Sequence, residues 1–324
     1  MSEVTMAEAL NAALDRSMEG NDRVLVLGED VGKLGGVFRI TDGLQSKFGE
    51  QRVFDTPLAE SGILGFSVGL ALYGYLPVAE MQFDGFAYPS LNQTISHVAK
   101  YRFRSRGRQT VPLVVRIPYG GDIGAAEHHS ESPETYYTHT AGLKVAVPSS
   151  PLDSFDLLTA AIADPDPVIF FEPKSRYWSK EEGELGSDPL PFGKARVARE
   201  GGACTLVAYG AMVDRCLETA AAAAEDGVEC EVIDLRTLVP FDLETVVASA
   251  EKTGRVVVVH EAPLTTGFGA EIAAQTTEAA FLSLEAPVLR VTGYDIPYPP
   301  AKVEEFYVPS VDRILGAIEK VLSF

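Results

Sequence analysis

Three cysteines, Cys204, Cys216 and Cys230, are all the chain has, and no two of them stand in a Cys-x-x-Cys spacing. A disulfide framework and a zinc site both lose their basis, and a reducing compartment is expected. Positive charge is scarce too, because 27 Lys and Arg stand against 46 Asp and Glu, for a net charge of −19. That excess disfavours non-specific binding to nucleic acid or to an anionic membrane, and makes any electrostatic partner basic. Long apolar runs are missing as well, and acids near the start replace a basic-then-apolar leader. A cytoplasmic, soluble protein is the expectation.

Several familiar motifs are also absent. The nearest Gly-x-Gly, Gly267-Phe268-Gly269, has Ile272 where a third glycine belongs, which argues against a dinucleotide fingerprint. No Gly-x-x-x-x-Gly-Lys loop occurs, and neither Ser61 nor Ser130 lies in a Gly-x-Ser-x-Gly elbow. Nucleotide hydrolysis and serine hydrolysis lose support together.

What is present is a layered α/β pattern. At 324 residues and 46% hydrophobic, the chain can bury two cores. Met6, Leu10, Leu14 and Met18 recur at helical spacing and lead into Arg23 to Gly28, a strand. Strands are expected at 77–80, 113–117, 144–147 and 168–171, with helices near 61–73, 89–104 and 151–163. Between 172 and 202 the prolines and the run Lys180-Glu181-Glu182-Gly183-Glu184 mark a connection. Beyond it, strands at 205–209, 230–235, 255–259 and 287–291 alternate with helices in the order of a parallel sheet. Domains at 1–185 and 203–324 are expected, joined by a linker at 186–202.

Two places carry chemistry. The run from Asp55 to Gly65 enters an apolar helix, with Thr56 or Asp55 as a cap and Pro57 at the first helical position. A capping box from Thr56 needs its acid at position 59, which is alanine, so Glu60 fits that role poorly. Glu60 is either an ordinary helix-start acid or a catalytic carboxyl, whose pKa an apolar setting would raise. The glycine-rich loop from Gly120 to Ser132 presents His128 and His129, read as a general acid or base or as plain surface histidines. Adjacent side chains rarely converge on one metal ion. His97, His139 and His260 are expected to be structural.

Together with Glu60 and His128-His129, the segment from Glu80 to Phe86 makes the chain resemble the beta subunit of the thiamine-diphosphate-dependent 2-oxo acid dehydrogenases. The resemblance spans essentially the whole chain and includes Gly28-Glu29-Asp30-Val31, Gly35 to Arg39, Lys100 to Ser105, His139 to Val145 and Phe170 to Lys174. It implies a transketolase-like pyrimidine-binding domain followed by a transketolase C-terminal domain, both with largely parallel sheets. Glu60 then matches the glutamate that shares a proton with the aminopyrimidine ring of thiamine diphosphate. Leu58, Gln82 and Phe86 match positions lining the pyrimidine pocket. His129 matches the histidine that assists acyl transfer to a lipoyl arm, and His128 has no assigned role. The resemblance also implies a potassium site from the carbonyls of Val111, Leu113, Val114 and Ala161 with Asp164 and Asp166, although an ordinary turn explains those acids as well.

Magnesium diphosphate is held in such enzymes through Gly-Asp-Gly, yet here Gly121-Asp122 runs into Ile123. The resemblance therefore implies that an alpha subunit supplies the Mg2+ and diphosphate half in an α2β2 heterotetramer. It also implies a lipoyl acyltransferase core that docks largely on the C-terminal domain. Gly293 to Pro300 and Arg176-Tyr177-Trp178 look like the bacterial branched-chain enzymes, whereas Asp55 to Gly62 also resembles pyruvate dehydrogenases. Branched-chain 2-oxo acids are the favoured substrates, with pyruvate as the alternative. A non-catalytic assembly subunit is the contrasting reading, which retention of Glu60 and His129 disfavours.

Overall fold

The computed structural model describes residues 2–187 and 189–324, and the chain divides into two compact units. The first comprises 1–119 and 136–192, and the second 120–135 and 193–324. The loop from Gly120 to Thr135, placed by the sequence pattern inside the first domain, thus groups with the second unit.

In the first unit, parallel strands lie in the order Lys144–Ala146, Val168–Pro173, Val114–Tyr119, Leu76–Glu80, Val24–Gly28 and Val53–Asp55. Their near-continuous apolar runs suit strands covered on both faces. Helix Met6–Gly20 packs on helix Pro151–Ala163, and Leu10, Leu14, Met18, Phe155 and Leu158 form part of one core. Its start is fixed by a capping box, in which Thr5 accepts from the Glu8 amide and Glu8 accepts from that of Thr5.

Three expectations need revision. The helix after Asp55 begins at Glu60 with Ala59 as its cap, so Pro57 lies outside it. The reason is the ladder: Gly28 pairs with Asp55 and its carbonyl accepts from the Thr56 amide at 2.8 Å, while the Asp55 carboxylate accepts from Gly32 at 2.7 Å. Residues 89–104 form no single helix. Short turns follow one another there, including a wide turn at Thr94–Val98 in which the Ala99 amide reaches the Thr94 carbonyl. The charged run Lys180–Gly183 is a strand, antiparallel to Ser2–Thr5.

The second unit's sheet runs Leu289–Gly293, Val256–Pro263, Cys204–Ala208, Cys230–Asp234 and Arg196–Arg199. Its first four strands are parallel, as expected. Arg196–Arg199, inside the expected linker, adds an antiparallel edge. Helices Met212–Glu225 and Val311–Leu322 pack together, as do Leu243–Thr253 and Phe268–Ala280. All three cysteines are free and buried, and Cys204 and Cys230 face each other on neighbouring strands. No helix among the described residues is long and apolar enough to cross a membrane.

Candidate active site

In the first unit, the C-terminal ends of three neighbouring parallel strands deliver the polar side chains, where open α/β sheets bind ligands. Past Val24–Gly28 come Glu29 and Asp30, past Val53–Asp55 comes Glu60, and past Leu76–Glu80 comes Gln82. Glu60, 9% exposed, is the first residue of helix Glu60–Leu72, where the helix dipole favours a negative group. Glu29 is 7% exposed and its Oε1 is buried with no hydrogen-bond partner. Burial pushes the Glu29 carboxyl above its ordinary range, and the charges of Glu60 and Asp30 push the same way. Two buried carboxyls, Glu29 and Glu60, thus lie close enough to influence each other, and sequence reasoning selected one of them. The only signal for Glu29 was an acid placed directly after a strand end.

Gln82 donates to Asp30 Oδ2 at 3.0 Å. Phe86 meets Phe83 edge to face at 5.9 Å on the short helix Asp84–Ala87. Buried Asp84 accepts from Lys174 Nζ at 2.5 Å, which pins that turn to strand Val168–Pro173. Leu58 projects at 79% exposure. Beneath these loops Arg116, fully buried, makes a two-pronged contact to Glu172 at 2.6 and 2.9 Å and a third to Glu80 at 2.6 Å. Tyr177 also donates to Glu172, at 2.7 Å. Although burial works against it, the pair of carboxylates holds Arg116 charged, above its ordinary value.

In the second unit, His129 lies in the short turn Glu127–His129 and His128 is exposed beside it, the rings 5.9 Å apart. Ser130 follows, fully buried. The Asp122 carboxylate meets Arg215 at 3.2 Å, so it is engaged within its own chain. His260 sits buried in strand Val256–Pro263, and burial lowers its imidazole to about 4, a neutral core histidine. Glu134 is fully buried, accepts from the Tyr209 hydroxyl at 2.6 Å, and is pushed by burial up to about 7.

The expected cation ligands fall back in the first unit. The Leu113 carbonyl accepts from Val168 at 2.9 Å and that of Ala161 from Asp164 at 3.3 Å, while Val111 and Val114 are buried. Lys144 Nζ lies 2.6 Å from Asp164 and 3.8 Å from Asp166, and Arg102 meets Asp166 at 2.5 Å. Both carboxylates are therefore engaged by basic side chains within this unit. No group of three or more His, Cys, Asp or Glu among the described residues could hold a metal.

The family models decide the kinship. Residues 2–179 match the transketolase pyrimidine-binding domain and residues 193–314 the transketolase C-terminal domain. The chain is 51% identical to the pyruvate dehydrogenase E1 component subunit beta of Leifsonia xyli subsp. xyli, over 98% of this chain and 95% of that one. It is 52% identical to the 3-methyl-2-oxobutanoate dehydrogenase subunit beta of Mycobacterium tuberculosis, over 98% and 92%. The chain belongs to the beta subunits of the 2-oxo acid dehydrogenases. This family of oxidoreductases depends on thiamine diphosphate. A solved split-gene transketolase, described as an inactive beta4 tetramer, superposes with a TM-score of 0.82 over 99% of this chain and 98% of its own, at 23% identity. That likeness shows the fold of this beta subunit.

Proposed function

We propose that this beta subunit acts on branched-chain 2-oxo acids, carrying the pyrimidine half of a thiamine diphosphate site that an alpha subunit completes. The observation that carries the reading is Glu60, a buried carboxylate at a helix start beside Glu29, whose orphaned Oε1 leaves an acceptor for a ligand. When bound, thiamine diphosphate supplies the carbon nucleophile that decarboxylation of a 2-oxo acid requires. Glu60 holds a proton for the pyrimidine ring, and Leu58, Gln82 and Phe86 shape the pocket around it. Exposed Leu58 suits a wall that meets the ring or a partner chain. His129 moves a proton during acyl transfer to a lipoyl group of the acyltransferase core.

The α2β2 assembly is supported by the bare face of helix Glu60–Leu72. Phe66 and Tyr73 are 53% and 82% exposed, and a side chain at Gly65 or Gly69 would meet nothing within 4 Å. Glycine in a helix costs about 1 kcal/mol relative to alanine. The subunit alone gives these glycines no packing role, which a close-packed partner would supply. Mg2+ falls to the alpha subunit, since Gly121-Asp122 runs into Ile123 and no Gly-Asp-Gly stands in this chain. Any K+ falls to the carbonyls around Leu113 and Ala161.

The substrate preference rests on the likeness of Gly293 to Pro300 and of Arg176-Tyr177-Trp178 to the branched-chain enzymes. With its alpha subunit, the protein should use 3-methyl-2-oxobutanoate with a higher kcat/KM than pyruvate. Differences of one methyl group shift a pocket's preference by about 1–3 kcal/mol, so smaller acids should retain some turnover. A preference for pyruvate would reverse the substrate class.

A further inference from the structure

The loop carrying His129 owes its shape to acceptors on other segments of the second unit. Its neck closes where the Gly120 amide donates to the Glu131 carbonyl at 2.9 Å. On the limb leading to His129, the Gly121 amide donates to Glu261 Oε2 at 2.9 Å, the Asp122 amide to the Tyr298 hydroxyl at 3.1 Å, and the Gly124 amide to Glu304 Oε1 at 2.8 Å. Tyr298 in turn donates to Glu304 Oε2 at 2.9 Å, which ties the last two anchors together. Glu261, Tyr298 and Glu304 are all buried.

The fit is close. A Cβ at Gly121 would lie 1.9 Å from the Tyr298 hydroxyl, and Gly120, at φ +83°, would bring one to 3.0 Å from Glu261 Oε2. His129 lies in the short span between the Gly124 anchor and the neck at Glu131. Tyr298 belongs to the Gly293 to Pro300 segment, so the stretch that marks substrate class in the sequence touches the loop that bears the histidine.

We propose that Glu261, Tyr298 and Glu304 are positioning residues for His129, holding its loop through charge-assisted and phenolic bonds to three backbone amides. The proposal rests on the reading of His129 as the acyl-transfer group. The three act through the backbone and so bear on one step, transfer to the lipoyl group, and not on cofactor activation.

The test uses the reconstituted complex with three readouts: single-turnover transfer to a lipoyl domain, hydrogen exchange at the thiazolium carbon, and thermal melting. Tyr298→Phe removes one hydroxyl and Glu261→Ala one carboxylate. Each should slow transfer about 10- to 100-fold, the scale of a small misplacement of a catalytic group, with exchange changed less than about twofold. Glu304→Gln keeps an acceptor oxygen and should recover most of the rate. In a His129→Ala background Tyr298→Phe should add no further loss, because residues acting through one group are not additive. Should Glu261→Ala fail to fold, Tyr298→Phe carries the test. If His129→Ala itself leaves transfer intact, the assignment of His129 fails. If His129→Ala slows transfer while Tyr298→Phe and Glu261→Ala do not, or if those two slow exchange equally, the positioning role is overturned alone.

Discussion

Glu60 stands five residues past the end of strand Val53–Asp55 and opens a 13-residue helix, whereas His129 sits in a loop anchored by side chains 140 to 180 positions away. The first residue inherits its place from a parallel ladder and a helix, which change only if the sheet does. The second depends on a handful of hydrogen bonds that single substitutions remove. In the roles proposed for them, a carboxyl sharing a proton with a bound ring profits from a fixed position, and a histidine serving an incoming lipoyl arm can sit on a separately tuned support.

Breaking the rigid side should have the largest effect. Glu60→Gln keeps size and hydrogen bonding but cannot share an acidic proton, so turnover of the assembled enzyme should fall about 10²- to 10⁴-fold, the usual contribution of general acid–base catalysis. Steady-state turnover near wild type would remove Glu60 from the chemistry. Next in size is Arg116→Leu, which strands Glu80 and Glu172 in the core. Breaking a buried pair in this way costs about 3–5 kcal/mol, and denaturant unfolding should show that loss. A loss below 1 kcal/mol would mean that the carboxylates find other partners.

The smaller effect concerns the loop side and pH. Burial raises Glu134 to about 7, so the fold favours its protonated form. The stability this gives is present below the unfolded carboxyl range near pH 4.5 and is lost as pH rises through about 7. Glu134→Gln cannot titrate, so its melting temperature relative to wild type should rise between about pH 5 and pH 8. A constant difference across that range would show that Glu134 does not titrate there.

Much of the scaffold was legible because its signals are local. Runs such as Val24–Gly28 and Val256–Val259 are apolar throughout, and Met6 to Met18 keeps a helical period, so type and order followed directly. The helix start was misplaced because Thr56 and Asp55 look like caps until the pairing with Gly28 and Gly32 claims them. Arg196–Arg199 read as linker because an edge strand needs only one partner and carries charge. Glu60 was found from a failed capping pattern, a local anomaly. Arg116 and the residues holding the His129 loop were not, since their places arise from long-range contacts that leave no spacing in the sequence.

Hydrogen exchange at the thiazolium carbon, followed in the reconstituted enzyme for Glu60→Gln and His129→Ala side by side, tests the division of labour most directly. The account predicts exchange slowed about 10²-fold or more in Glu60→Gln and near wild type in His129→Ala. Fast exchange in Glu60→Gln, or equal slowing in both, would contradict it.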